Sequence, residues 1–504
     1  MPDTVLAEET ARLNDVLCTI NLLAWDARTH MPPSGSRARG NQVATLTGLA
    51  RDIAIGPRLR DAVSAALDRG DGDADERALL QEFAADLETM RRVPAALLLE
   101  MAELKTTSHA AWLVARERND FSVFAPSLGR IFALQRELAE VIGYDEHPYD
   151  ALIGQYEPGM TIASLAPLFA TLRAGITPLL EQLRDLPPAD GFLEQPYPVE
   201  TQRRFAAEIA ARMGYDFGRG RVDDTVHPFE ISMTRDDVRI TSRFRETYVK
   251  GGLFALWHEA GHGIYEQGVA ERWTRGIGAT DLRNLYAVGG RSFGLHESQS
   301  RLYENRVGRS RQFWELHFGA LRDCFPDQLA GIDMDTFWRA VNQPRQGLIR
   351  IEADELTYDA HVMLRCELEA ALVAGEVRVA DLPALWDERI RAAFGLVVPD
   401  LTRGVLQDVH WSHGYVGSFA TYTLGNVMAS QFFAAATSEP AVRDGLRGGR
   451  YEPLTAWLGQ HVHRHGRSRN RDRILRDATG NGLDPQAYLS DLRAKAAALL
   501  DTAA

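Results

Sequence analysis

Residues 258–262 read His258-Glu259-Ala260-Gly261-His262, two histidines four apart with a glutamate beside the first. On a helix, positions i and i+4 share a face, so both imidazoles can reach one metal ion. The neighbouring glutamate can then address water on that ion. Two neutral imidazoles, a carboxylate and an open position suit zinc. Zinc lowers the pKa of its water towards about 7 and polarises a carbonyl, which are the needs of a hydrolytic centre. The same five residues would also fit a His/Glu cluster on a surface helix. Two features argue otherwise. Leu253, Phe254, Leu256 and Trp257 flank the motif, so the helix is expected to be buried, where imidazoles and carboxylates need partners. Gly261 and Gly263 each cost about 1 kcal/mol against alanine inside a helix, which predicts that another element packs closely there.

A catalytic zinc site wants a third protein ligand. Residues 291–313 read as a glycine-containing loop followed by a helix. His296 and Glu297 are adjacent, so about 100° separates them and only one points straight at the metal. Glu297 and Glu304 are seven apart and share a face, so either carboxylate fits. Spacing favours Glu297 weakly, because it lies nearer the loop. Glu304 can equally pair with Arg301 on the helix surface.

Three further stretches are dense in functional residue types. Read as a helix, Arg350, Asp354, Tyr358, His361 and Arg365 form one polar stripe, either a solvated face or a cleft wall that offers a cation to an anionic substrate group. His410 and Tyr422 are candidate donors to the oxyanion of peptide hydrolysis, a contribution worth several kcal/mol. His461, His463 and His465 alternate ahead of Arg467, Arg469, Arg471 and Arg473. A solvated loop is the expectation there.

The elements that must position these groups are mostly helices. Ala, Leu, Glu and Arg dominate, and residues 75–101 show apolar positions recurring at three and four. Proline and glycine pairs such as Pro158-Gly159, Pro187-Pro188 and Gly480-Asn481-Gly482 divide the chain into some twenty helices. Residues 236–244 alternate and are β-branched, which predicts a short strand just ahead of the histidine motif. Asp237, Arg239 and Thr241 would face one way, Val238 and Ile240 the other. No fixed-period repeat or long linker interrupts the 504 residues, so one large helical domain over 1–504 is expected. The net charge of −13 argues against nucleic acid or an anionic membrane as partner. Three dispersed cysteines (Cys18, Cys324, Cys366) read as reduced thiols rather than a disulfide framework. The polar N-terminus shows no signal pattern, and no apolar run approaches a bilayer span, so a cytoplasmic location is expected.

Together HEAGH (258–262), HESQS (296–300), DVRIT (237–241), IRIEAD (349–354) and GVLQDVHW (404–411) resemble, in order and spacing, the carboxypeptidase Taq family of thermostable zinc metallocarboxypeptidases. His227-Pro228-Phe229, Leu23-Ala24-Trp25-Asp26 with Met31-Pro32, and Tyr156-Glu157-Pro158-Gly159 extend the resemblance over nearly the whole chain. The resemblance implies a mainly α, zincin-like peptidase with a deep central groove and a small sheet near the active-site helix. It implies one Zn2+ per chain, for which Co2+ can substitute, a homodimer, and broad-specificity release of single residues from peptide C-termini.

Residue by residue, the resemblance makes His258 and His262 metal ligands and Glu259 the general base. It selects Glu297 as the third ligand, and assigns Arg350 and His410 to the substrate's C-terminal side. Asp237, Arg239 and Thr241 match a groove-lining signature, and an edge strand there would pair with an extended peptide. One segment departs. Relatives commonly read GYFPTY where this chain has Gly417-Ser418-Phe419-Ala420-Thr421-Tyr422. Tyr422 keeps the later phenol of that segment, and Tyr415 is a nearby substitute for the earlier one. Two rival functions remain: a zinc oligoendopeptidase or dipeptidyl carboxypeptidase, and a metal-bound peptide-binding protein without turnover.

Overall fold

The computed structural model describes residues 4–188 and 190–501; the opening Met1–Asp3 of the polar N-terminus lie outside the described residues. About 70 % of the chain is helical, and the described residues form twenty α-helices, as the proline and glycine punctuation predicts. The periodic stretch 75–101 is two helices rather than one, Ala74–Arg92 and Ala95–Arg118. Pro94 breaks it, since proline lacks the N–H that a continuing helix requires.

The motif helix, Val249–Gly268, runs through the largest apolar cluster. Leu253, Phe254, Leu256 and Trp257 are buried on it, and Trp257 packs against Phe205, Phe313 and Trp314. Its indole N–H donates to the Ala206 carbonyl at 3.1 Å, which sets the helix rotation. A second cluster joins Leu13, Leu17, Leu59, Phe83 and Leu87 to Leu282 and Ala287, with Ile277 packed against both clusters. Helix Ile162–Gln182 is long and apolar enough by composition to cross a membrane, nearer to that composition than the sequence reading allowed. Here its Leu165, Phe169, Leu172 and Ile176 are buried in the larger cluster.

Three strands lie beside the motif helix: β1 (Gly220–Asp224), β2 (Glu230–Thr234) and β3 (Asp237–Ser242). The order is β1-β3-β2, with β1 parallel and β2 antiparallel to β3. The predicted strand therefore exists, but it is central. Both its hydrogen-bonding edges are taken, so the expected pairing of β3 with a peptide is overturned. The outer edge of β2 faces the first helix, Thr4–Thr29, whose Asn21 amide donates to the Ser232 and Ala287 carbonyls.

Candidate active site

The two motif glycines do what their cost predicts. A Cβ on Gly261 would lie 2.5 Å from the Gln299 carbonyl oxygen, and one on Gly263 would lie 2.7 Å from the Tyr215 ring and 3.2 Å from Ile240. Helix Phe293–Arg301 thus crosses the motif helix at Gly261, and β3 approaches it at Gly263. The first of these crossings carries Glu297 to the histidines.

Three ligand atoms converge. Glu297 Oε2 lies 3.6 Å from His258 Nε2 and 3.2 Å from His262 Nε2. All three lie within 4.8 Å of one another, a spacing that a divalent ion can bridge. The second nitrogen of each ring is also engaged: His258 Nδ1 with Glu304 Oε2 at 3.0 Å, and His262 Nδ1 with His296 Nδ1 at 2.5 Å. The other Glu297 oxygen accepts from Arg301 Nε at 2.8 Å. Such outer partners orient metal ligands and raise their basicity. The donor set fits a divalent ion: two imidazole Nε2 atoms and one carboxylate oxygen aim at a common point while every other polar atom of the three side chains is held elsewhere.

Electrostatics agrees. Burial opposes the Glu297 charge, but His258 and Arg301 outweigh it and hold the carboxyl well below its usual range. Burial pushes His262 down to about 3, which keeps the ring neutral at pH 7. Burial also lowers His258, but the Glu297 charge and the Glu304 hydrogen bond overcome it, and that ring lies above its ordinary value. Glu259 is 6 % exposed, and its carboxylate has no hydrogen-bond partner among the described residues. Burial pushes its carboxyl up to about 7.

Glu304 is no surface residue. After Arg301 the helix widens into a π-helical segment, Leu302–Gly308. Such insertions recur at functional sites. Glu304 there reaches His258 on the side opposite Glu297, and also bonds Arg301 and Arg309. Upstream, Ser292 caps the Glu297 helix, and the buried Glu157 carboxylate accepts from Ser292 Oγ, Gly294 N–H and Arg471. The His/Arg tract is therefore not a solvated loop. His463 is 1 % exposed and meets Gln299 at 2.9 Å, while Arg467 donates to the Gly290 carbonyl and Arg471 to Glu157.

A second polar group adjoins the first. Arg301 lies over the Tyr358 ring at 4.5 Å, and Tyr358 Oη accepts from Arg350 Nη1 at 3.0 Å. Arg350 Nε and Nη2 both donate to Asp408 Oδ1, and Arg365 donates to Asp408 Oδ2. His410 Nε2 stands 3.3 Å from Tyr422 Oη. Burial and the Arg350 charge push His410 down to about 3, and burial raises the Tyr422 phenol, so both are neutral at pH 7. The buried carboxylate of Glu369 accepts from Trp411 Nε1, Tyr149 Oη and Gly417 N–H, and so ties down both sides of the loop between His410 and Tyr422.

The predicted polar stripe is corrected. Asp354 does not pair with Arg350 along a helix; it caps the N-terminus of helix Glu355–Ala374, accepting from Leu356 and Thr357, while Arg350 lies in a preceding 3₁₀ turn. His361 and Arg365 are buried, with the His361 ring on Phe394. Tyr415 is 40 % exposed, with its ring against Lys105 and His413, and does not replace a phenol beside His410. Ser418 Oγ is buried without a hydrogen-bond partner among the described residues.

The β3 signature is held in the framework. Asp237 forms a two-bond ion pair with Arg239, whose guanidinium lies 4.2 Å over the Trp25 ring. Thr241 is fully buried, and its hydroxyl bonds only the Phe229 backbone among the described residues. Sequence reasoning missed Glu266 and Glu369. Their signal was a charged residue within an apolar helical stretch, where burial demands partners.

Residues 5–496 match the family described as "Carboxypeptidase Taq (M32) metallopeptidase". The chain is 40 % identical over 500 residues to thermostable carboxypeptidase 1 of Thermus thermophilus, covering 95 % of each chain. It is 35 % identical over 476 residues to carboxypeptidase 1 of Bacillus subtilis, covering 94 % of this chain and 93 % of that one. A solved carboxypeptidase of the same family from Deinococcus radiodurans R1 superposes with a TM-score of 0.94 at 37 % identity, covering 98 % of this chain and 99 % of that one. Metallocarboxypeptidase 1 of Trypanosoma cruzi gives 0.90 at 33 % identity, with the same coverage. The chain belongs to the carboxypeptidase Taq family, and is a peptide hydrolase of the metallocarboxypeptidase type.

Proposed function

We propose that this metallocarboxypeptidase uses one zinc ion per chain, held by His258, His262 and Glu297, to release single C-terminal amino acids from peptides with broad specificity. The observation that carries the reading is the convergence of His258 Nε2, His262 Nε2 and Glu297 Oε2, with the second nitrogen of each ring occupied. A zinc ion there supplies Lewis acidity for the scissile carbonyl and acidifies water; cobalt suits the same donors. The Glu259 carboxylate, buried and without a hydrogen-bond partner among the described residues, accepts the proton of the attacking water and returns it to the leaving amine. Tyr422 or His410 donates to the developing oxyanion. Arg350 meets the substrate's terminal carboxylate. Three of its five N–H groups are engaged by Asp408 and Tyr358, which leaves two for a ligand.

The test is mass spectrometry of one unblocked peptide and its C-terminal amide, each with and without a chelator. A ladder losing one C-terminal residue at a time, absent with the amide and absent with the chelator, is the expected result. Internal cuts in both peptides would establish the endopeptidase instead. An untouched peptide with metal in the protein would establish a binding role. We also propose a cytoplasmic homodimer, for which light scattering at twice the chain mass of 56.0 kDa is the first check.

A further inference from the structure

His262 is not backed by a carboxylate, as His258 is, but by a second histidine. Its Nδ1 meets His296 Nδ1 at 2.5 Å. The two ring centroids are 4.6 Å apart with planes 27° apart, so the rings meet edge to edge and a hydrogen between them lies near both planes. On its far side, His296 Nε2 lies 2.9 Å from Glu266 Oε1. Glu266 also accepts from Gly289 N–H and from Ser232 Oγ on β2.

The protons of this chain can be assigned one by one. An ionised carboxylate only accepts, so His296 Nε2 carries the hydrogen. Where that is the only N–H on the ring, His296 Nδ1 is a lone pair. His262 Nδ1 then donates to it, which frees His262 Nε2 for a metal ion beside Glu297. The opposite tautomer of His262 would put N–H where a metal ion must sit.

The surroundings are shaped for this arrangement. A Cβ on Gly289 would meet Glu266 Oε2 at 2.7 Å, and one on Gly290 would meet His296 Cδ2 at 3.0 Å. Tyr265 closes the ring from another side, edge-on at 4.9 Å.

We propose that Glu266 and His296 are positioning residues that lock His262 in its metal-binding tautomer and thereby set the affinity of the site for a divalent ion. The proposal rests on His262 being a metal ligand. Its cost of removal follows from outer-shell partners generally, whose loss weakens metal binding 10- to 100-fold. Nothing in the sequence spacing announces it, because the lock joins residues 232, 262, 266, 289 and 296 across four segments.

The experiment measures zinc affinity by competition with a chromophoric chelator for wild type, His296→Leu and His296→Gln, with circular dichroism to establish folding. His296→Leu should bind zinc about 10- to 100-fold more weakly. His296→Gln should recover most of the loss, since its amide oxygen can accept from His262 Nδ1. A folded His296→Leu protein with wild-type affinity would overturn the lock while leaving the metal site standing. Wild-type protein that binds no zinc would overturn both. Neutron diffraction of the zinc-loaded wild type tests the assignment even if His296→Leu does not fold. Hydrogen on His262 Nδ1 and His296 Nε2 is expected, and hydrogen on His296 Nδ1 would refute it.

Discussion

Replacing Asp408 by asparagine removes the anion shared by two buried guanidiniums. Arg365 is fully buried and Arg350 is 6 % exposed at the side chain, and Asp408 meets Arg365 through Oδ2 at 2.5 Å and Arg350 through Oδ1 at 2.9 Å. The asparagine oxygen can still accept from Arg350, but its amide N–H2 then confronts the Arg365 donors. Breaking a buried pair by removing one partner costs about 3–5 kcal/mol, because a desolvated charge is left uncompensated. Arg365→Met in the same chain removes that orphan charge. The double variant should therefore lose less than the two single losses combined, by about 1–3 kcal/mol. The assay is urea unfolding of wild type, both single variants and the double variant, followed by tryptophan fluorescence and circular dichroism, with coincident transitions before free energies are compared. An Asp408→Asn protein within 1 kcal/mol of wild type, or strict additivity, would refute the reasoning. The pH dependence has a definite sign. Burial opposes the Asp408 charge, but Arg365 and Arg350 outweigh it and hold the carboxyl below its ordinary 3.8. The stabilisation is thus complete above that value and is lost as pH falls through the depressed one. Asp408→Asn should remove this acid-labile part of the stability profile.

Three other outcomes are expected. Glu259→Gln should keep its metal by elemental analysis and lose most peptide hydrolysis; normal turnover would remove Glu259 from the role of base. Gly425→Ala would place a Cβ 2.5 Å from Glu297 Cγ, an overpacking worth about 1–3 kcal/mol that should lower both the melting temperature and zinc affinity; unchanged affinity would show that Glu297 has room to move. Tyr422→Phe should lower kcat by about 10²- to 10³-fold with KM little changed if its phenol is the oxyanion donor, whereas a wild-type kcat would leave His410 as the donor.

The residues of one element that must act together were legible in the sequence. His258 and His262 lie four apart on one helix, so their common face follows from helical period alone, with Glu259 about 100° round from His258, and the cost of Gly261 and Gly263 announced two close approaches that the fold contains. The helical class and its punctuation followed from composition and from proline and glycine positions. What faces that helix was decided by tertiary structure. Helical period placed Glu297 and Glu304 on one face and left the choice open; the π-helical segment and the crossing at Gly261 set one on the Nε2 side of His258 and the other on its Nδ1 side. Alternation found β3, but only the sheet order makes it central and closes its edges. The His/Arg tract looked solvated because charge in a sequence carries no record of its partners; Glu157 and the Gly290 carbonyl, far away in the chain, take Arg471 and Arg467 inside. Local spacing encodes which side chains share a face, whereas the partner that desolvates and orients each of them is a long-range contact, fixed only when the elements pack.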